Sequence, residues 1–233
     1  MSPSVEPAAL PRTSPLRSLA WWVADYAYAL VWQARGLFDR TDPARFRSGD
    51  LVPIVVIPGI WESWTFLRPL ITAMHERGHP VHVVTPLRFN NRPVVDAAKQ
   101  VGTYLDENDL KGAVIVAHSK GGLIGKYLMV TGTSIVRIRG MVAVAAPFSG
   151  SRYARYLIVP SLRIFSPKNA VIVALARESA VNARIVSVFG QFDPHIPGGS
   201  ELVGAKNVRL DTGGHFRVLA HPRVMAEVAL LAS

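Results

Sequence analysis

The chain has 233 residues, enough for one domain with a sizeable hydrophobic core. Apolar residues make up 49% of the chain and charged residues 18%, a balance typical of folded proteins, and the absence of cysteine excludes disulfides, a thiol nucleophile and a cysteine-based zinc site. The formal net charge of +10 predicts attraction to anionic surfaces, most simply lipid headgroups. Because the basic residues are spread along the chain without a recognisable binding motif, we expect no nucleic-acid partner.

The first 17 residues contain four prolines and several serines, a composition that predicts a disordered leader over residues 1–17. This segment lacks the clean apolar core and cleavage site of a standard secretory signal. We therefore expect a cytoplasmic protein, with peripheral membrane contact as a second expectation that depends on the segment that follows.

Residues 18–48 are expected to form an N-terminal aromatic helix, with helical spacing of apolar residues over 18–38. Three interpretations stay open. The helix packs on the domain or at a dimer contact, which we favour slightly; it anchors at a membrane interface through its Trp and Tyr residues; or it spans a membrane. Three polar residues interrupt the run of about 20 apolar residues that a span needs: Asp25, Gln33 and Arg35.

Strand and helix patterns alternate over residues 49–233, which we expect to form a single α/β domain. Such alternation predicts a mostly parallel sheet of about six strands with helices on both faces. Strands are predicted at 52–57, 80–85, 113–117, 139–145, 184–189 and 207–210, and helices at 64–77, 93–107, 120–131, 168–180 and 222–231.

The first predicted strand ends in a turn that begins with Pro58 and Gly59. Glycine allows close backbone approach, so the N–H of Ile60 could stabilise a negatively charged oxygen. A plain turn is an equally good interpretation, because Pro-Gly marks turns in every fold class.

The third predicted strand leads into the strongest motif of the chain, a serine on a sharp turn before a helix. The residues two before and two after Ser119 are small, Ala117 and Gly121, as the strand-to-helix turn of serine hydrolases requires. This turn would expose the serine hydroxyl above the sheet and aim the N–H of Lys120 at a developing oxyanion. The alternative is an ordinary turn with a surface serine.

The fifth predicted strand, 184–189, is followed by a loop that carries Asp193. A carboxylate there could orient a histidine and stabilise its imidazolium form. An Asx turn before proline is the simpler interpretation, and His195 is a rival functional residue in the same loop.

The last predicted strand, 207–210, leads into a glycine-rich turn that carries His215. Two glycines before this histidine permit a tight turn that would swing the imidazole over the sheet. An ordinary loop histidine is the alternative interpretation, and Asp211 is a second candidate for the acid. We expect no role for His221.

These signals share a position, since each follows a predicted strand at the carboxyl end, where parallel sheets place their ligands. They also occur in the order Ser, Asp, His, which the serine turn requires. Agreement in position and order favours a functional site over four independent coincidences.

Several segments carry a resemblance to the α/β-hydrolase superfamily, close to small bacterial lipases and esterases of the triacylglycerol lipase type. The resemblance covers about residues 50–233. Its motifs are PGIWE (58–62), AHSKGGLIG (117–125), AAPFSGS (145–151), FDPHIP (192–197) and GHFRVLAHP (214–222).

The resemblance implies a catalytic triad of Ser119 as nucleophile, His215 as general base and Asp193 as orienting acid. It also implies an oxyanion hole formed by the N–H groups of Ile60 and Lys120. The chain departs from many lipases in having Pro58 in place of histidine, and Lys120 in place of Met or Gln. The Lys120 cation could stabilise the oxyanion or bind an acidic group of the substrate, but we expect this side chain to be solvated, with only its N–H used.

The predicted function is hydrolysis of carboxylic esters, lipid-like in character, through an acyl-enzyme and without metal or organic cofactor. Two alternatives remain: an acyltransferase or thioesterase with the same triad, and a non-catalytic, membrane-associated scaffold. Residues 148–180 are expected to form a small cap, and the expected acyl pocket consists of Trp61, Trp64, Phe148, Leu157 and Ile158.

Overall fold

A six-stranded sheet forms the centre of the computed structural model, which describes residues 14–131, 133–154 and 159–233. Neighbouring strands all run parallel, in the order β2-β1-β3-β4-β5-β6. The predicted fold class, a mostly parallel α/β sheet of about six strands, is therefore confirmed. The strands are β1 (Ile54–Ile57), β2 (Val81–Val83), β3 (Ala113–His118), β4 (Ile138–Val144), β5 (Ile185–Phe192) and β6 (Lys206–Gly213).

Helices cover both faces of this sheet, because the central strands are apolar on both sides and must be buried on both. One face packs against α3, α4 and α6, and the other against α1, α2 and α7. The described helices are α1 (Pro15–Phe38), α2 (Arg68–His75), α3 (Val94–Glu107), α4 (Lys120–Val130), α5 (Pro160–Arg163), α6 (Ala170–Arg177) and α7 (Pro222–Ala232).

The core strands β1 and β3 are fully buried along their whole length, which explains why their sequences are continuous apolar runs. Strand β6 lies at the sheet edge and alternates between buried and exposed residues. Several bounds differ from the prediction by a few residues, and the short helix α5 was not predicted. The helix predicted over 64–77 begins as a 3₁₀ turn at Trp64–Leu67 before α2, and β5 continues to Phe192, close to Asp193.

Helix α1 packs along one side of the domain and buries Trp21 and Asp25. It begins at Pro15, after Ser14 caps its first turn, so residues 15–17 are helical rather than part of a disordered leader. Residues 1–13 lie outside the described residues. Among the described residues, no helix is long and apolar enough to cross a membrane.

Candidate active site

Ser119 occupies the sharp turn between β3 and α4, above the carboxyl edge of the sheet. Its φ of 49° and ψ of −118° are strained for a residue other than glycine, and such strain concentrates at functional sites. The glycine pattern has a steric cause. A side chain at Gly121 would collide with the Ile57 carbonyl oxygen, and one at Gly122 would collide with Ala146.

The structure brings the three predicted triad residues into one hydrogen-bonded chain. Ser119 Oγ lies 3.0 Å from His215 Nε2, and His215 Nδ1 lies 2.8 Å from Asp193 Oδ2. The other oxygen of Asp193 accepts the backbone N–H groups of His195 and Ile196, which holds the carboxylate in place. In this arrangement Nδ1–H donates to Asp193, so Nε2 is free to accept the serine proton.

The surroundings of His215 increase the basicity of its imidazole ring. Burial by itself lowers the pKa of His215, but the charge of Asp193 and its hydrogen bond outweigh burial and raise that pKa above its usual value. Burial raises the pKa of Asp193 in turn, whereas the His215 imidazole lowers it, and the net direction is downward. The carboxylate therefore stays ionised and increases the basicity of the imidazole.

The two predicted oxyanion donors belong to the serine turn and to the turn after β1. Lys120 is the first residue of α4, so its N–H has no acceptor within the helix. Ile60 lines the same cavity as Ser119. The turn that carries Ile60 is held from the segment after β2, where Phe89 accepts the Trp61 N–H and the Asn90 side chain donates to the Pro58 carbonyl oxygen.

The side chain of Lys120 is fully buried, so the expectation that it is solvated is wrong. Its ammonium group donates to the Asn90 carbonyl at 2.7 Å and to the Arg92 carbonyl. Burial lowers the pKa of Lys120 to about 8. Since Asn90 also holds the Pro58 turn, Lys120 links the start of α4 to that turn instead of facing a substrate.

A cavity of about 420 Å³ opens beside Ser119 and His215. Its walls are mainly apolar and aromatic, and they come from α1, the turn after β1, the predicted cap segment and the Asp193 loop. Beyond Ser119 and His215, the lining residues are Trp22, Tyr26, Ile60, Trp61, Glu62, Pro147, Ser151, Tyr153, Ala154, Leu162, Phe165, Pro194, His195, Ile196 and Phe216.

Of the predicted pocket residues, Trp61 lines this cavity, whereas Trp64 and Phe148 lie elsewhere. Trp64 packs edge-to-face against Phe46 at 6.1 Å, on the face of the sheet that α2 covers. Phe148 is buried and belongs to a core cluster, and it does not line the cavity. Leu157 and Ile158 fall outside the described residues.

Helix α1 fixes the position of the loop that carries His215, the predicted base. No sequence motif had associated α1 with the site. Asp25 is fully buried and accepts the backbone N–H groups of His215, Phe216 and Arg217, each at 2.8 Å. It thereby caps the short 3₁₀ helix that follows His215. The sequence signal was present, since Asp25 is the one acidic residue among the apolar positions of 18–38.

A second carboxylate–imidazole pair, Glu62 and His118, lies behind the triad. The carboxylate of Glu62 accepts the Gly59 N–H at 2.7 Å and contacts His118 Nδ1 at 2.7 Å, while His118 Nε2–H donates to the His215 carbonyl at 2.9 Å. Both side chains are buried. This network connects the turn of Ile60 with the loop of His215, and the sequence offered no signal for it beyond the motif positions.

The two alternative residues considered from the sequence have other surroundings. The ring of His195 lies 4.7 Å from the ring of His215, and its Nε2 lies 3.2 Å from the Tyr26 hydroxyl. Burial and the neighbouring His215 lower the pKa of His195 to about 4, so this ring is neutral at pH 7. Asp211 is exposed and lies 3.4 Å from His221, so it does not contact the predicted base.

No protein-family model matches the chain, and no curated protein matches its sequence. Solved structures do resemble it. A metagenome-derived lipolytic enzyme has a TM-score of 0.59 at 14% identity, over 79% of this chain and 94% of that chain. A monoacylglycerol lipase of Paleococcus ferrophilus has a TM-score of 0.56 at 17% identity, over 77% and 93% of the two chains. The thioesterase domain from the curacin biosynthetic pathway has a TM-score of 0.55 at 12% identity, over 79% and 92%.

The chain has the α/β-hydrolase fold. The parallel sheet, the helices on both of its faces and the likeness to these solved structures together define this class. The fold that the resemblance of the sequence motifs implied is therefore confirmed.

Proposed function

We propose that this protein hydrolyses carboxylic esters with apolar acyl groups through an acyl-enzyme formed on Ser119. The observation that carries the proposal is the unbroken chain of hydrogen bonds from Ser119 through His215 to Asp193, at the wall of an apolar cavity. Nucleophile, base and orienting acid within hydrogen-bond distance of one another are the geometric requirement for acyl transfer to serine.

In the first half of the reaction, Ser119 Oγ attacks the ester carbonyl carbon while His215 Nε2 takes the hydroxyl proton. The carbonyl oxygen becomes an oxyanion, which the N–H groups of Ile60 and Lys120 stabilise. As the tetrahedral intermediate collapses, the bond to the alcohol breaks and His215 donates its proton to the leaving alkoxide oxygen.

In the second half, water replaces the alcohol. His215 removes a proton from the water, whose oxygen attacks the acyl carbon, and the same two N–H groups stabilise the second oxyanion. His215 then returns the proton to Ser119 Oγ, which releases the carboxylic acid and restores the enzyme. Throughout, Asp193 keeps Nδ1 protonated and stabilises the imidazolium form.

The cavity walls favour an apolar acyl group. Leu162 and Phe165 from the predicted cap segment face the site together with Ile60 and Ile196. Burial of methylene groups against such walls stabilises binding by about 0.8 kcal/mol for each CH₂. This supports lipid-like esters over small polar ones.

Labelling with a fluorophosphonate, followed by intact-mass and peptide mapping, tests the proposal. The probe reacts with an activated serine, so we expect one label per chain, located on Ser119. The label is expected to be absent in Ser119→Ala and strongly reduced in His215→Ala, and kcat for p-nitrophenyl esters should fall by about 10⁴-fold or more in either variant.

Ser151→Ala is the matched control, because Ser151 also lines the cavity but donates its hydroxyl hydrogen bond to the His195 carbonyl. It should label as the wild type does. An unlabelled wild-type protein with an intact thermal unfolding transition would refute the proposal and favour a non-catalytic role for this fold.

A further inference from the structure

The solvent-facing side of α1 is apolar along its whole length. Large apolar side chains recur there at every third, fourth or seventh position, with alanines between them. Leu16 is 80% exposed, Leu30 is 69% exposed and Phe38 is 83% exposed. We call this surface the α1 face; its large residues are Leu16, Leu19, Val23, Leu30, Val31, Leu37 and Phe38.

The α1 face is exposed, since the opposite side of the helix packs on the domain. Trp21 and Asp25 point into the domain, and Trp32 packs against the core on the same side. Among the described residues, none covers the α1 face, although a helix of 24 residues extends over about 36 Å. Contiguous apolar surface of this size marks an interaction site.

The α1 face continues into the mouth of the candidate active site. Trp22, at the edge of this face, lines the cavity and is 42% exposed. Trp61 and Tyr153 line the same cavity with similar exposure. Exposed Trp and Tyr side chains are enriched where protein meets the headgroup region of a bilayer, because one part of each ring system is apolar and the other forms hydrogen bonds.

The charges around the α1 face are positive. The only acidic residue of helix α1, Asp25, is buried on the opposite side, so the exposed charges of α1 are Arg17 and Arg35. Their guanidinium groups lie over the rings of Trp21 and Trp32, 4.6 and 4.9 Å from the ring centres. The whole chain carries a net charge of +10, so a second copy would be repelled, whereas an anionic lipid surface would be attracted.

We propose that the α1 face binds the surface of an anionic phospholipid bilayer, with α1 lying parallel to the membrane plane. In this orientation the rim formed by Trp22, Trp61 and Tyr153 lies at headgroup level, and the cavity receives its ester from the lipid phase. This last step rests on the proposed hydrolase function, whereas binding to the bilayer does not.

Flotation with lipid vesicles measures the binding directly. The wild-type protein, a Leu19→Glu/Leu30→Glu variant and a Val136→Glu/Val203→Glu variant are compared on phosphatidylcholine vesicles with and without phosphatidylglycerol. Val136 and Val203 are 86% and 90% exposed and lie outside α1, so this variant matches the added charge and the loss of apolar surface. None of the four residues lines the cavity.

We expect wild type and control to bind the phosphatidylglycerol vesicles, less tightly at high salt, and to bind pure phosphatidylcholine vesicles much less. The α1 variant should lose about 100-fold in partition coefficient, because two exposed leucines no longer insert. All three proteins should hydrolyse a short soluble ester at the same rate. Equal vesicle binding by the α1 variant and wild type would overturn the proposal.

Two further outcomes separate this proposal from the proposed function. Vesicle binding without fluorophosphonate labelling of Ser119 would leave the docking surface intact and refute the hydrolase. Labelling of Ser119 without vesicle binding would support the hydrolase and refute the docking surface. In that case, a wild-type dimer that the Leu19→Glu/Leu30→Glu substitutions dissociate, measured by sedimentation, would assign the α1 face to a second copy of the chain.

Discussion

At the residue scale, the proposed chemistry depends on two buried carboxylates, Asp193 and Glu62. Each of them contacts the ring of a histidine, His215 and His118 respectively. Asp193 raises the pKa of His215 against the opposing effect of burial. A general base must be unprotonated, so activity is lost as the pH falls through the pKa of His215. The acid limb of the pH profile of kcat/KM therefore reports this pKa in the free enzyme.

Asp193→Asn should lower kcat by about 10³ to 10⁴-fold, because the amide favours the wrong tautomer of His215. The residual activity should have its acid limb at lower pH, since the charge that raised the pKa is gone. Asp211→Asn is the control, as its exposed carboxylate lies away from His215. Profiles of kcat/KM against pH, measured with a soluble ester, test this, and an unmoved acid limb would contradict the role of Asp193.

A separate prediction concerns the Glu62–His118 pair and its effect on His215. His118 Nε2–H donates to the His215 carbonyl at 2.9 Å, and His118 Nδ1 lies 2.7 Å from the Glu62 carboxylate. Glu62 also contributes to raising the pKa of His215. Glu62→Gln removes the charge of Glu62 and weakens its hydrogen bonds with the Gly59 N–H and with His118 Nδ1.

We expect Glu62→Gln to lower kcat about 10- to 100-fold with little change in KM, and to move the acid limb slightly toward lower pH. Glu227→Gln is a matched control, because Glu227 is an equally buried carboxylate on α7 that pairs with Lys206 and Arg223. Steady-state kinetics across pH distinguish positioning from stability. A loss of thermal stability with unchanged kcat and acid limb would show that the pair is only structural.

At the element scale, α1 is part of the site although it precedes the sheet in sequence. It contributes Trp22 and Tyr26 to the cavity and Asp25 to the loop of His215. This one carboxylate accepts three backbone N–H groups of the His215 loop. The position of His215 therefore depends on the packing of α1 against the domain.

Asp25→Ala should lower the free energy of unfolding by about 3 kcal/mol and also lower kcat, because three N–H groups lose their acceptor. Asp25→Asn, which keeps one oxygen, should have a smaller effect on both. Asp42→Ala is the control: Asp42 caps a 3₁₀ helix away from the site by accepting the Ala44 N–H. Denaturant unfolding and steady-state kinetics on the same samples test this prediction. If Asp25→Ala kept the stability and the kcat of the wild type, Asp25 would not connect the packing of α1 to the position of His215.

Parts of these elements could be predicted from the sequence, because periodicity reports local burial. The six strands, the helices after residue 49 other than α5, and the serine turn produce signals within a few neighbouring residues. The choice between Asp193 and Asp211 needed the structure, since both follow predicted strands and only the fold decides which carboxylate reaches His215. The buried position of Lys120 was likewise not visible, because its acceptors lie about 30 residues earlier.

At the scale of the whole molecule, the cavity is an assembly of segments that are distant in sequence. Helix α1, the turn after β1 and the segment between β4 and β5 each form one wall, and Ser151 ties that last segment to the Asp193 loop through the His195 carbonyl. The available length for an acyl chain is therefore a property of the assembled fold.

Leu162→Trp should shorten the acyl chain that the cavity accepts, since Leu162 lines it and indole is larger than isobutyl. We expect kcat/KM for p-nitrophenyl octanoate to fall about tenfold relative to the acetate, in line with one or two lost methylene contacts. Leu230→Trp, an exposed position on α7, is the control. An unchanged ratio of octanoate to acetate in Leu162→Trp would show that the acyl group does not occupy this wall.

The sequence by itself determined the alternation of strands and helices, the small residues around Ser119 and the order of the three triad candidates. These features are local, because steric limits and burial act between near neighbours in the chain. Only the tertiary structure decided that Asp25 holds a loop 190 residues away, that Glu62 and His118 join two sides of the site, and that Phe148 lies in the core. Contacts between distant segments depend on how whole elements pack, and no local pattern encodes them.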